Sequence, residues 1–371
     1  MKTKMVLVAV PIFTFVTLLA CGSGEALDAG RNGREETPQE KGEPKVTPQP
    51  EQRPYVHVPV TVSKEAQTFL PTLKDPALIP TFPDPTDIAG WKKLQASAEA
   101  DGKAKSEPLL KRYPHTVAEA KLGGVPILDV RPKDWKDNGK VLVYTHGGAH
   151  TMYSARSMLG RAVVAANSTG LRIISVDYTL APHARYNQMS DEVVTAIQAL
   201  LKDGQRLEDL AIYGDSSGGG LAAAVVLKMR DKGLGMPKAV VLVSPWLDIT
   251  NSGDTETTLH DADPNQLYEK HGKFAAAAFA DPKDQKDPYA SPACGDFSKG
   301  FPPTLIQGGL KETLLSGFVR LYQALDAAGV PVKLDLYEGM IHNFQDRIPD
   351  APESILARKK MREFLHKHLG L

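Results

Sequence analysis

The chain has 371 residues, no net formal charge, 42% hydrophobic and 24% charged residues, which suits one large or two small globular domains. Balanced charge excludes the basic footprint of a nucleic-acid binder. Two cysteines, Cys21 and Cys294, exclude a zinc site of the usual spacing.

At the start, Lys2 and Lys4 precede an apolar stretch of 16 residues, Met5 to Ala20, containing Pro11. This is short of the ~20 residues of a membrane span and suits a signal peptide over residues 1–20. The stretch ends in Leu18-Leu19-Ala20-Cys21-Gly22, which resembles a bacterial lipobox, whose cysteine is acylated and begins the mature chain. A plain secretory signal with a chance cysteine is the alternative. On the lipobox reading Cys21 carries the lipid, and each buried CH₂ of its acyl chains contributes ~0.8 kcal/mol to anchoring. The protein is then a lipoprotein of the bacterial cell envelope, facing periplasm or exterior. Gly22, in place of an Asp that signals inner-membrane retention, favours the outer membrane. Cys294 stands alone, so no intramolecular disulfide forms.

Residues 21–53 are rich in Gly, Glu, Pro, Gln and Lys, too polar to offset the entropy of ordering, and read as a disordered tether. Residues 54–115 hold a proline cluster at Pro71, Pro76, Pro80, Pro83 and Pro85. Ile88, Trp91, Leu94 and Ala98 there have helical spacing over 88–104, so this segment reads as a small helical cap. From about residue 122 short apolar runs of strand type appear: 125–130, 141–145, 172–177, 210–213, 239–244, 304–307 and 332–337. Helical patterns lie between them at 161–167, 190–202, 219–231, 315–328 and 353–369. Apolar strands alternating with helices predict an α/β fold over 116–371, with a mostly parallel sheet covered on both faces. Residues 245–300 interrupt the alternation for too long to be a bare loop and read as a cap insertion with helices of its own.

The strand-type run Leu210-Ala211-Ile212-Tyr213 feeds into Gly214-Asp215-Ser216-Ser217-Gly218-Gly219, and a helical pattern follows at once. A serine at the apex of a strand–turn–helix, flanked by glycines that let chain segments approach, is the arrangement of a nucleophile elbow. The helix start adds free N–H groups and a positive dipole beside it. A Gly-rich phosphate turn is the bland alternative, but the lysine of a P-loop is missing. Upstream, the run Val141 to Thr145 leads into His146-Gly147-Gly148-Ala149. Glycines there let backbone N–H groups face a developing oxyanion, and the donors expected are those of Gly147, Gly148 and Ser217. His146 is expected to shape the loop.

These two motifs resemble those of the bacterial hormone-sensitive-lipase-like esterases, a branch of the α/β-hydrolases. So do Asp177-Tyr178-Thr179-Leu180-Ala181-Pro182, Ser244-Pro245-Trp246-Leu247-Asp248, Asp287-Pro288-Tyr289-Ala290-Ser291-Pro292 and Gly339-Met340-Ile341-His342-Asn343-Phe344. The similarity spans about residues 115–345. Ala149 departs from the family, where Gly is commoner, and Glu312 stands where Asp is usual. The resemblance implies an α/β-hydrolase fold with a helical cap and a serine carboxylesterase acting on short- to medium-chain acyl esters.

The base follows from order and place. In this fold serine, acid and histidine come in that sequence, on loops at the carboxyl ends of strands. Of ten histidines, His342 fits, in the loop after the strand at 332–337. The acid belongs after the strand at 304–307, where Glu312 is the sole carboxylate of the loop Gly308 to Leu315. Capping of the next helix is the alternative role for Glu312. Asp248 and Asp287 match family positions that are structural. Ser216 is thus expected to form an acyl-enzyme with help from Glu312 and His342, with Gly214, Asp215 and Gly218 as supports. Tyr153, Trp246 and Ile341 are expected to line the substrate pocket, and Tyr268, Phe274 and Phe279 are further apolar candidates. A small-molecule ester is the expected partner, with no cofactor, no metal and no nucleic acid; nothing in the chain fixes an oligomeric state. A serine peptidase or amidase on the same fold, and a non-catalytic ligand-binding homologue, remain as alternative readings.

Overall fold

The computed structural model describes residues 56–75, 78–264 and 267–371. The proposed signal peptide, Cys21 and the tether lie outside them. Eight strands form one sheet: β1 (His115–Leu122), β2 (Val125–Pro132), β3 (Val141–Thr145), β4 (Arg172–Val176), β5 (Leu210–Asp215), β6 (Ala239–Val243), β7 (Thr304–Gly309) and β8 (Val332–Tyr337). Their order is β1-β2-β4-β3-β5-β6-β7-β8. β2 runs antiparallel to β1 and β4, and every other pair is parallel. The central strands β3, β5 and β6 are buried along their whole length. That burial explains why they read as unbroken apolar runs, since helices cover both faces of a parallel sheet.

Ten α-helices accompany the sheet among the described residues: α1 (Lys64–Phe69), α2 (Ile88–Arg112), α3 (Leu159–Thr169), α4 (Tyr186–Lys202), α5 (Ser217–Asp231), α6 (Asp254–Thr258), α7 (Lys273–Phe279), α8 (Leu315–Ala327), α9 (Phe344–Arg347) and α10 (Pro352–Leu369). Side chains alternate across each strand and feed two cores. Val141, Val143, Ile212, Val240 and Leu242 pack with α4, α5, α8 and the 245–300 insertion. Leu142, Tyr144, Tyr213 and Val241 pack with α3 and α10 on the other face. A third cluster joins Val62, Ala66 and Leu70 to Met340, Ile341 and Phe344.

Two elements differ from the sequence expectation. β1 carries no apolar alternation because its residues are exposed or half-exposed throughout. It forms because Gly123 and Gly124, both at positive φ, make a two-residue turn that returns the chain as a hairpin with Leu122 opposite Val125. α2 runs to Arg112, through Pro108, well past the last apolar position of its pattern. Its second half is carried by the pairs Glu99–Lys103, Asp101–Lys105 and Glu107–Lys111. Small residues also let it lie close to α3. A methyl added at Gly102 would meet Ser157, and one at Gly160 would meet Ser106, each at 2.9 Å.

Near its start α2 is held by Trp91, which is fully buried and donates from Nε1 to the Asp84 carbonyl at 2.9 Å. Trp91→Ala should therefore lower the unfolding free energy by about 3–5 kcal/mol. A urea titration checks this, and a loss under about 1 kcal/mol would show that α2 is held by other contacts.

Candidate active site

In the strand order, β3, β5, β6, β7 and β8 are consecutive and parallel, so the loops at their carboxyl ends share one edge of the sheet. Those loops carry residues 146–150, Ser216, Ser244, Glu312 and His342. The local chemistry of each explains how they fit together.

Ser216 links β5 to α5 with φ 53° and ψ −127°, a left-handed backbone that costs a non-glycine residue roughly 1–3 kcal/mol and needs support from its surroundings. Its N–H donates to the Val243 carbonyl at 2.9 Å. The flanking glycines answer close contacts. A methyl at Gly218 would lie 2.1 Å from the Thr145 carbonyl oxygen and 2.3 Å from that of His146. A methyl at Gly214 would lie 2.2 Å from the Gly218 carbonyl. The elbow is thus pressed against the end of β3.

His342 Nε2 lies 2.9 Å from Ser216 Oγ, and its Nδ1 lies 2.7 Å from Glu312 Oε2. A carboxylate oxygen only accepts, so Nδ1 carries the hydrogen and Nε2 faces the serine hydroxyl as an acceptor. Glu312 is fully buried and His342 is 5% exposed. The other carboxylate oxygen of Glu312 accepts from Ser244 Oγ and from the Gly309 N–H, each at 2.7 Å. Glu312 makes no cap to α8, whose N-cap is Leu314 without a side-chain bond. Ser244 also receives the Asn343 N–H at 3.1 Å, so one hydroxyl joins the acid to the histidine loop. In the sequence Ser244 belongs to the run Ser244-Pro245-Trp246-Leu247-Asp248, and no local pattern marks this role.

Asp215 forms a second, buried network. It accepts from Tyr144 Oη at 2.6 Å, the Gly147 N–H at 3.2 Å and Asn343 Nδ2 at 3.3 Å. It also pairs with Arg161, which reaches Asp346 at 3.1 Å. Burial opposes charge on the Arg161 guanidinium, but Asp215 and Asp346 together hold it above its ordinary range. No local pattern in the sequence announces Arg161, whose partner lies 54 residues away.

This network corrects one expected oxyanion donor. The Gly147 N–H is spent on Asp215. Gly148 and Ala149 follow with φ of 128° and 53°, and their N–H groups have no acceptor among the described residues, nor has that of Ser217. Gly148 and Ala149 line the cavity with Ser216 and His342. The His150 N–H donates to Ser217 Oγ at 3.0 Å and ties this loop to the elbow. His146 is fully buried, with Nδ1 2.8 Å from the Gly147 carbonyl and its ring stacked on Tyr178 at 4.5 Å.

The cavity holds about 960 Å³. Both the 54–115 segment and the 245–300 insertion wall it, through residues such as Phe82, Leu94, Trp246 and Tyr268. Tyr153 and Trp246 are at its surface. Ile341 is not. It is fully buried in the cluster with Val62 and Phe344, on the far side of the loop that presents His342. Phe279 is core as well, stacked face to face on His150 at 3.7 Å, and Phe274 packs against the same core. Asp248 binds Thr250, Ser252 and Arg320, and Asp287 accepts the Tyr289 N–H, so both hold loops.

Comparison with known proteins agrees with this architecture. A family model described as alpha/beta hydrolase fold matches residues 142–346. An acetyl-hydrolase of Streptomyces hygroscopicus is 32% identical over 248 residues, covering 65% of this chain and 79% of that protein. An esterase of Acinetobacter venetianus is 34% identical over 225 residues, covering 61% and 74%. The crystal structure of esterase E25 superposes with a TM-score of 0.79 at 27% identity, covering 86% of this chain and 98% of that one. An esterase of the bacterial hormone-sensitive lipase family gives 0.70 at 30% identity, covering 83% and 99%.

Two outcomes follow from this geometry. Gly218→Ala must push apart the Thr145 and His146 carbonyls, and displacement of that order at a reacting centre costs about 100-fold in kcat/KM. Turnover near wild type would show that the close approach is dispensable. The second outcome concerns acid. Burial, then His146, lowers His150 from its ordinary value to about 3, and burial lowers His146 too. Between about pH 6.5 and 3 the unfolded chain binds a proton at His150 that the folded chain refuses, so stability is lost as pH falls, by about 1.4 kcal/mol per pH unit at most for one group. His150→Gln should therefore show a shallower acid loss in denaturant melts between pH 7 and 5, and an unchanged slope would refute it.

Proposed function

As a member of the alpha/beta hydrolase fold family and a carboxylic ester hydrolase by its relatives, the protein offers a defined chemistry, and we propose that it hydrolyses small acyl esters through an acyl-enzyme on Ser216. The observation that carries this reading is the buried relay from Glu312 Oε2 to His342 Nδ1 at 2.7 Å and from Nε2 to Ser216 Oγ at 2.9 Å.

Ser216 Oγ attacks the ester carbonyl while His342 Nε2 takes its proton. The Glu312 carboxylate keeps the imidazole in the required tautomer and stabilises the imidazolium that forms. The carbonyl oxygen becomes an oxyanion facing the N–H groups of Gly148, Ala149 and Ser217, which have no other acceptor among the described residues. His342 returns the proton to the departing alcohol, and water then repeats the sequence on the acyl group. Short to medium acyl chains are the proposed substrates. The Streptomyces relative is an acetyl-hydrolase, which supports the lower end of that range. We also propose that the catalytic body is tethered to the cell envelope by a lipid on Cys21, on the strength of the Leu18 to Gly22 run. Cys21→Ser should then abolish palmitate labelling and move activity from membrane to soluble fractions; unchanged partitioning would exclude the anchor.

Ser216→Ala should remove both ester turnover and labelling by a fluorophosphonate probe. Glu312→Gln presents an amide to Nδ1 and should reduce kcat on the order of 10⁴-fold. Near-normal p-nitrophenyl butyrate hydrolysis by either variant would end its assignment. In a p-nitrophenyl ester series kcat/KM should peak at short to medium acyl length, and a maximum at palmitate would refute the substrate class.

A further inference from the structure

The 245–300 insertion does more than wall the cavity: it sends a carboxylate beneath the catalytic histidine. Asp263 Oδ2 accepts the backbone N–H of His342 at 2.7 Å. Asp263 is fully buried and His342 nearly so, so this charge-assisted bond is shielded from water, where such bonds are strong. None of the proton-transfer steps uses Asp263. The loop it grips runs from β8 to α9 and carries His342 beside Asn343 in a left-handed conformation, so its shape depends on the groups that hold it. One of these is Ser244, on the Asn343 N–H. Asp263 is another, and it comes from a segment 79 residues away.

The same insertion pins the loop of the acid. Thr255 Oγ1 donates to the Thr313 carbonyl at 2.7 Å and accepts the Ser316 N–H at 2.8 Å. The Thr255 N–H donates to Ser316 Oγ at 2.9 Å. Thr313 follows Glu312 directly. The insertion thus touches the backbone of His342 and that of Thr313, the residue after Glu312, while Asn251, Thr257 and Tyr268 from the same segment face the cavity. Lys311 also lies within the field of Asp263: burial holds its ammonium below the ordinary value, and Asp263 offsets part of that.

We infer that Asp263 is a positioning residue for the esterase reaction, through which the insertion that lines the cavity sets the place of His342. The inference rests on the Ser216–His342–Glu312 mechanism above. It makes the insertion part of the proton-transfer machinery as well as a wall. A cap that only selects substrate changes KM and specificity. A cap that holds the base changes kcat.

The test uses the full-length protein with p-nitrophenyl acetate and butyrate, with active sites counted by the fluorophosphonate burst. Asp263→Ala should lower kcat per active site about 10- to 100-fold, the scale of a small misplacement of a reacting group, with KM changed by less than about threefold. Asp263→Asn keeps an oxygen acceptor for the His342 N–H and should recover most of the lost kcat. If Asp263→Ala does not fold, Asp263→Ser, whose hydroxyl falls short of that amide, replaces it with the same expectation. Wild-type kcat per active site in the alanine or serine variant, a loss confined to KM, or no recovery in Asp263→Asn would each overturn the inference. Turnover surviving in Ser216→Ala would instead bring down the mechanism beneath it. The two failures are therefore distinguishable.

Discussion

Burial of one carboxylate, that of Asp215, constrains most of the catalytic edge. A carboxylate taken out of water carries a penalty of several kcal/mol unless donors replace the solvent. Here the donors come from β3 through Tyr144, from the loop after β3 through Gly147, from α3 through Arg161, and from the histidine loop through Asn343. Each must be in place for the charge to be tolerated. Asp215 precedes the serine, so the cluster fixes where the elbow sits against β3 and against the loop of His342. It also decides which peptide N–H groups are left over. The Gly147 N–H is taken by Asp215, Gly148 and Ala149 follow at positive φ, and their N–H groups have no acceptor among the described residues.

A second set of constraints holds Glu312 and His342. Glu312 and His342 are both buried, and each is oriented by groups that do not react. Ser244 spans them, with its hydroxyl donating to Glu312 and accepting from Asn343. Ser244 itself sits at φ 46° just past β6, in the gap between the strands that lead to Ser216 and to Glu312. The parallel order of the sheet makes this possible, because consecutive strands deliver their loops to the same edge. The 245–300 insertion begins immediately after Ser244 and returns to the same loops through Thr255 and Asp263. Substrate wall and catalytic loops therefore share their supports.

Much of this was legible in the sequence. The central strands are apolar without interruption because both their faces are covered, and the serine, histidine and oxyanion strings are short enough to read locally. Glu312 was legible by elimination, as the one carboxylate in its loop. β1 was not, because an exposed hairpin strand has no buried face to leave a pattern; only Gly123-Gly124 signalled it. The second half of α2 was missed because apolar spacing stops at Ala98, while its charge pairs and small-residue seam with α3 continue. Ile341 was misplaced for a related reason. Adjacent to His342 in sequence, it packs with Val62 and Phe344 while His342 faces Ser216, and no local pattern separates the two directions.

The sequence by itself determined the alternating α/β architecture, the position of the nucleophile turn and the identities of Ser216, Glu312 and His342 as candidates. These are local properties, set by the apolar period and by the residue types a tight turn tolerates. Only the tertiary structure decided which N–H groups near Ser216 lack an acceptor among the described residues, that Ile341 is core, and that Ser244, Arg161 and Asp263 reach the site. Those outcomes depend on which buried polar groups find one another across 50 residues or more. Desolvation makes every such group seek a partner, but the chain order does not say which partner the folded topology brings within reach.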